Sequence, residues 1–194
     1  MKVIGLTGGI GMGKSTAALA FKRARIPVFD ADATVHKLQA PGGRALKPIA
    51  ALFPGTVKNG VLDRGALRAA VLANKPALTQ LEHILHPMVR QEERAFLARA
   101  RRAAAPAAVL DIPLLFETGG RTLSFSMVVS APKSVQIHRV RLRKKMSQAD
   151  IENVIARQMP DAEKRRRADI VVRTGLSRFH TQRQLRRIIQ GLRP

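Results

Sequence analysis

Residues 2–24 read KVIGLTGGIGMGKSTAALAFKRA, and the order of textures in that stretch decides the fold. "KVIGLT" is a short apolar run of the kind that forms a buried strand, whereas "STAALAFKRA" is rich in good helix formers. Between them Gly8, four residues, and then Gly13, Lys14 and Ser15 spell G-x-x-x-x-G-K-[ST]. A strand that turns through glycines into a helix offers inward-facing backbone N–H groups and the positive end of a helix dipole. That is a nucleotide phosphate loop. Residues Gly8, Gly9, Ile10, Gly11, Met12, Gly13, Lys14, Ser15 and Thr16 form the expected nucleotide-binding segment. Lys14 is expected to reach the β- and γ-phosphates and the Ser15 hydroxyl to ligate Mg²⁺.

Outward from the loop, strand and helix patterns alternate. "IPVFDAD" (residues 26–32) reads as a second short strand and "ATVHKLQA" as a helix ending at the PGG of residues 41–43. Residues 45–102 read as helix in pieces, broken by "FPGTVKNG" and Pro76, with Pro87 expected to kink a helix or start a new one. "PAAVLDIPLLFE", "FSMVVSA" and "ADIVVRTG" return to strand, with basic helices between the last two and a final helix over residues 178–190. The alternation predicts an α/β fold with a parallel sheet covered on both faces. The long helical stretch between the second and third strands reads as an insertion.

Composition narrows the rest. The chain has 194 residues, 45% of them apolar, which suits one filled domain rather than disorder. It has no Cys, so disulfides, thiolate metal sites and a Cys nucleophile are excluded. No apolar run approaches the ~20 residues of a membrane span, and the N-terminus lacks a cleavable leader pattern. The expectation is a soluble, cytoplasmic protein without a membrane partner. Lys and Arg number 35 against 13 Asp and Glu, a net charge of +22. Residues 133–194 alone hold 17 basic and 5 acidic residues. Phe179 is the only aromatic there, so a base-stacking platform is not expected; the excess reads first as a solvated basic surface, then as a site for small polyphosphates, and last as one for nucleic acid.

A phosphate loop alone does not choose among GTPase, motor ATPase and kinase. Neither D-x-x-G nor N-K-x-D occurs, and Asp111 at the end of "AAVLD" is followed by Ile112 rather than Glu. A small-molecule phosphotransferase fits best. Read as an extended segment, Asp30 and Asp32 face the same side, and a carboxylate there could accept a hydroxyl proton. Asp32 could equally cap a helix starting at Ala33. Arg139 and Arg143, four apart on a helix, share one face; a cationic lid and a solvated basic surface are both open readings.

With the loop and "DAD" in place, the remaining motifs resemble the dephospho-CoA kinase family. They are Leu62-Asp63-Arg64, His86-Pro87 with Arg90, the PLLFE of residues 113–117, Gln136 with Arg139 and Arg143, the ARQ of residues 156–158, and Lys164 with Ala168-Asp169. They run in order over nearly the whole chain. Met12 stands where the family commonly has serine, and Arg173 where it often has Asn or Asp.

The resemblance implies a P-loop kinase fold on one domain spanning 1–194. Its core would be about 1–33, 105–135 and 166–194, its CoA-binding helical region about 34–104, and its basic lid about 136–165. It implies transfer of a phosphoryl group from ATP to the ribose 3′-hydroxyl of dephospho-CoA, the last step of CoA biosynthesis. By the same resemblance Asp32 is the base, with Lys14 and Arg139 also catalytic and Arg143 an ATP ligand. His86, Arg90, Pro113, Leu114, Leu115 and Glu117 line the acceptor pocket together with Asp32. Asp30 or Asp111 could help Ser15 hold Mg²⁺ through water.

Overall fold

The computed structural model describes residues 1–72, 74–119, 122–144, 147–156 and 158–192, without the side chains of Arg143 and Lys144. The chain divides into two compact units, Met1–Phe29 with Arg99–Pro194, and Asp30–Ala98.

Unit 1 is built on a five-stranded sheet. Its strands are β1 (Lys2–Thr7), β2 (Val28–Asp30), β5 (Ala107–Asp111), β6 (Phe125–Ser130) and β7 (Ile170–Arg173), in the spatial order β2-β5-β1-β6-β7. β1 runs parallel to β5 and to β6, and β6 parallel to β7. Residues 3–7 of β1 and all of β5 are buried, as a central strand covered on both faces requires. On one face Ile4 and Leu6 join α1 (Lys14–Arg23), through Ala17 and Phe21, and α10 (Arg178–Gln190), through Leu185 and Ile189. On the other, Gly5 faces Leu115 and Leu123, whose methyl carbons would stand 2.6–2.7 Å from any Cβ at Gly5. The remaining helices of this unit are α6 (Leu115–Thr118), α7 (Lys133–Lys144), α8 (Gln148–Ala156) and α9 (Asp161–Arg167).

Unit 2 holds α2 (Ala31–Leu38), α3 (Leu46–Leu52), α4 (Arg64–Leu72) and most of α5 (Lys75–Arg102). Two expectations change here. α5 is one helix that continues through Pro87 and includes Pro76 in its first turn. Ala77, Leu81, Leu85 and Val89 form a buried seam at four-residue spacing. Pro87 lies on the exposed side, so the acceptor that loses its N–H partner faces water. The stretch read as a break, "FPGTVKNG", carries a hairpin of β3 (Val57–Lys58) and β4 (Val61–Leu62), with Val57 opposite Leu62. Asn59 (φ 51°) and Gly60 (φ 73°) make the turn, both left-handed as a two-residue hairpin loop favours.

Candidate functional site

The phosphate loop follows β1 directly, and its glycines are there for space. Gly11 (φ +73°) packs so closely under α7 that a Cβ would sit 2.7 Å from a Val140 methyl and 2.9 Å from the Gln136 carbonyl. Gly13 (φ +94°) precedes α1, and no side chain caps that helix. An uncapped N-terminus with no acidic residue in its first turn is suited to an anion.

Side chains from three other parts of the chain hold the loop. Gln136 of α7 donates to the Ile10 carbonyl at 2.8 Å, and Gln158 accepts from Ile10 N at 3.0 Å. Thr174, just past β7, donates through Oγ1 to the Met12 carbonyl at 2.7 Å. Met12 is itself buried, 3% exposed, and its sulfur accepts the Ala131 N–H at 3.0 Å. The position therefore contributes a core side chain as well as backbone.

Lys14 Nζ lies 2.7 Å from Asp111 Oδ1 at the end of β5. β1 and β5 are paired so that Leu6 opposes Asp111, which brings the strand end beside the loop. Ser15 and Thr16 are exposed at the head of α1. A Ser hydroxyl and a carboxylate are hard oxygen donors of the kind Mg²⁺ takes, usually one or two from protein with phosphates and water completing the shell. Among the described residues no group of three His, Cys, Asp or Glu is placed to hold a metal by protein alone.

Arg139 of α7 donates to the Thr174 carbonyl at 2.6 Å, to Thr174 Oγ1 at 3.1 Å and to the Gly11 carbonyl at 3.5 Å. It is thus tied to the loop. The Arg143 side chain lies outside the described residues. A cavity of about 640 Å³ opens beside the loop, lined among others by Met12, Gln136, Arg173, Gly175 and Leu176.

The PLLFE segment is a turn and a short helix, not a continuation of strand. Leu115 is buried against Gly5, while Leu114 is 42% exposed. The carbonyl of Pro113 accepts from Thr7 Oγ1 at 2.9 Å and from Lys164 Nζ at 3.3 Å. Lys164, only 1% exposed, pairs with Glu117 at 2.8 Å, and Glu117 also accepts the Met159 N–H at 3.2 Å. Burial pushes the Glu117 carboxyl up, but the Lys164 ammonium and the backbone N–H outweigh it and hold the group below its ordinary range. Asp169 is held low as well, by the backbone N–H and hydroxyl of Ser126, each at 2.7 Å. The K-x-x-x-A-D motif thus joins α9 to the Pro113 turn and β7 to β6.

Asp32, His86 and Arg90 belong to unit 2. The strand reading of Asp32 is corrected: β2 ends at Asp30, and Asp32 lies in the first turn of α2. Asp30 is the cap, its Oδ1 accepting from Ala33 N at 2.9 Å. Strand alternation therefore does not relate the two carboxylates. Asp32 is exposed, and His86 and Arg90 lie one turn apart on the exposed side of α5. Sequence reading missed Thr174 and the burial of Lys164; a lone Thr carries no motif, and Lys164 sits in a KRRR run that reads as surface charge.

The family model for dephospho-CoA kinase matches residues 2–177. The chain belongs to the dephospho-CoA kinase family. A Gluconobacter oxydans dephospho-CoA kinase is 50% identical over 198 residues, covering 100% of this chain and 98% of that one. The crystal structure of TT1252 from Thermus thermophilus superposes with a TM-score of 0.85 at 35% identity, covering 100% of this chain and 98% of the other. A dephospho-CoA kinase structure from Campylobacter jejuni gives 0.65 at 25% identity, over 98% and 97%. The fold is that of P-loop kinases, and membership in the dephospho-CoA kinase family makes the chain a phosphotransferase with an alcohol acceptor, acting at the last step of CoA biosynthesis. Among the described residues no helix is long and apolar enough to cross a membrane.

Proposed function

We propose that the chain transfers the γ-phosphoryl group of ATP to the ribose 3′-hydroxyl of dephospho-CoA, giving CoA and ADP, in the cytoplasm. The observation that carries this reading is the uncapped start of α1 directly after the loop, with Lys14 beside Asp111. The backbone of residues 8–16 surrounds the phosphates, and Lys14 leaves Asp111 to meet the transferring group. Ser15 would hold Mg²⁺, with Asp111 or Asp30 acting through water, and the ion would supply neutralisation of phosphate charge. Arg139 and Arg143, in a lid of about residues 136–165, add positive charge where the transferring oxygens develop negative charge. The cavity beside Met12 and Gly175 suits the nucleoside half of ATP.

The acceptor belongs to the helical region of about residues 34–104. Asp32 takes the proton of the 3′-hydroxyl as its oxygen bonds to phosphorus and the β–γ bridging oxygen leaves with ADP. His86 and Arg90 hold acceptor phosphate, Leu114 supplies apolar contact beside Pro113 and Leu115, and Glu117 supports that segment from behind. The test is ADP release with dephospho-CoA set against nucleosides, nucleotides and sugar acids. Turnover with dephospho-CoA alone is expected; preference for another alcohol sinks the acceptor assignment.

A further inference from the structure

We propose that Thr174 is a positioning residue for ATP, its hydroxyl coupling the Arg139 guanidinium to the backbone of the phosphate loop. The inference rests on the reading of Arg139 and the loop as ATP ligands. Thr174 is 4% exposed, and its own backbone is fixed because its N–H donates to the Ser130 carbonyl at 2.8 Å.

A hydroxyl has one proton and two lone pairs. Here the proton goes to the Met12 carbonyl at 2.7 Å, with the Ser130 carbonyl a weaker claimant at 3.3 Å. That leaves the oxygen to accept Arg139 Nη1 at 3.1 Å, while the Thr174 carbonyl accepts Nη2 at 2.6 Å. The same side chain walls Gly13, where a Cβ would stand 3.3 Å from Oγ1 and 3.4 Å from Cβ and Cγ2.

The consequence for the loop follows from peptide geometry. The Met12 carbonyl and the Gly13 N–H belong to one planar trans peptide and point in opposite directions. Pinning the carbonyl to Thr174 therefore aims the Gly13 N–H away from Thr174, without leaving that peptide free to rotate. The same oxygen holds Arg139. One hydroxyl sets both a backbone donor and a guanidinium before ATP arrives, which lowers the ordering cost of binding.

Thr174→Val keeps the shape and removes the hydroxyl; Thr174→Ser keeps the hydroxyl and removes the methyl. ATP binding to the intact protein is measured by calorimetry, with steady-state kinetics and thermal unfolding alongside. Thr174→Val is expected to weaken ATP binding by about tenfold or more, the scale of a lost hydrogen bond to a charged group. The KM for dephospho-CoA is expected to stay put, and Thr174→Ser to bind ATP as the parent does. In a cycle with Arg139→Ala, the double variant is expected to lose much less than the product of the single losses.

The proposal is overturned by parent-like ATP affinity in Thr174→Val, by multiplicative losses in the cycle, or by equal weakening in the Ser variant. Should the Val variant not fold, the Ser variant decides alone, with parent affinity supporting and lost affinity overturning. If Arg139→Ala binds ATP normally, both the coupling and the reading of Arg139 fall. If Arg139→Ala is impaired and Thr174→Val is not, the coupling alone falls.

Discussion

Lys14 Nζ and Asp111 Oδ1 stand 2.7 Å apart, the carboxylate 5% exposed and the lysine 19%. The lysine proposed to bind phosphate thus already pairs with a buried carboxylate at the next strand end. Two effects of Lys14→Ala should separate. Removing the cation should depress phosphoryl transfer on the order of 100-fold or more. Removing one partner of the buried carboxylate should cost about 1–2 kcal/mol of stability. Adding Asp111→Asn should recover most of the stability and none of the turnover, read by thermal unfolding and ADP release. A double variant no more stable than Lys14→Ala would show that the pair does not matter to folding.

Met12 is a core residue inside a binding loop. Its sulfur accepts the Ala131 N–H, and the side chain lies in the cluster that includes Ala131 and Leu6. Met12→Ser should cost about 2 kcal/mol through the cavity it leaves. ATP affinity should change far less, because the Met12 carbonyl stays pinned by Thr174. Denaturant unfolding with and without ATP checks both parts; unchanged stability would mean the loop repacks.

Two depressed carboxylates should contribute to the loss of stability in acid. Glu117 ordinarily titrates near 4.5 and Asp169 near 3.8, and both are held lower in the folded chain. Such groups contribute their stabilisation in full above the unfolded values and lose it as pH falls through the folded ones. Stability should therefore fall progressively as pH drops below about 4.5. Glu117→Gln combined with Asp169→Asn should be less stable at neutral pH and flatter below it. An equally steep acid limb in that variant would assign the loss to other groups.

The pieces with local signals were legible. β1, the loop, α1 and the parallel strands announce themselves through apolar runs, the glycine spacing and helix formers. Sequence and structure part where neighbouring alternatives are locally equivalent. Asp30 and Asp32 are both good caps, and only where β2 stops decides which one serves. Pro87 looked like a breaker because its cost is local, while the buried seam of Leu81, Leu85 and Val89 that outweighs it is tertiary. Asn59-Gly60 is a two-residue hairpin signal inside a stretch whose Pro and Gly otherwise read as a break. Thr174 and Lys164 draw their roles from partners 35 and more residues away, distances no short motif spans.

The two aspartates of "DAD" should separate by function. Asp30 has its oxygen on Ala33 N and its carbonyl on Thr34 Oγ1, so its work is to start α2. Asp30→Ala should cost about 1 kcal/mol, the usual worth of a cap. Asp32 makes no cap, is exposed, and sits one residue inside the helix. If it accepts the acceptor's proton, Asp32→Asn should bind ATP as the parent does and lower kcat on the order of 100-fold or more. Stability should hardly move. The contrast is the test: a large stability loss with near-normal kcat for Asp32→Asn would make it structural and leave the proton without this acceptor. Asp30→Asn, which keeps an acceptor oxygen for Ala33, should stay folded and isolate any part of Asp30 in Mg²⁺ dependence.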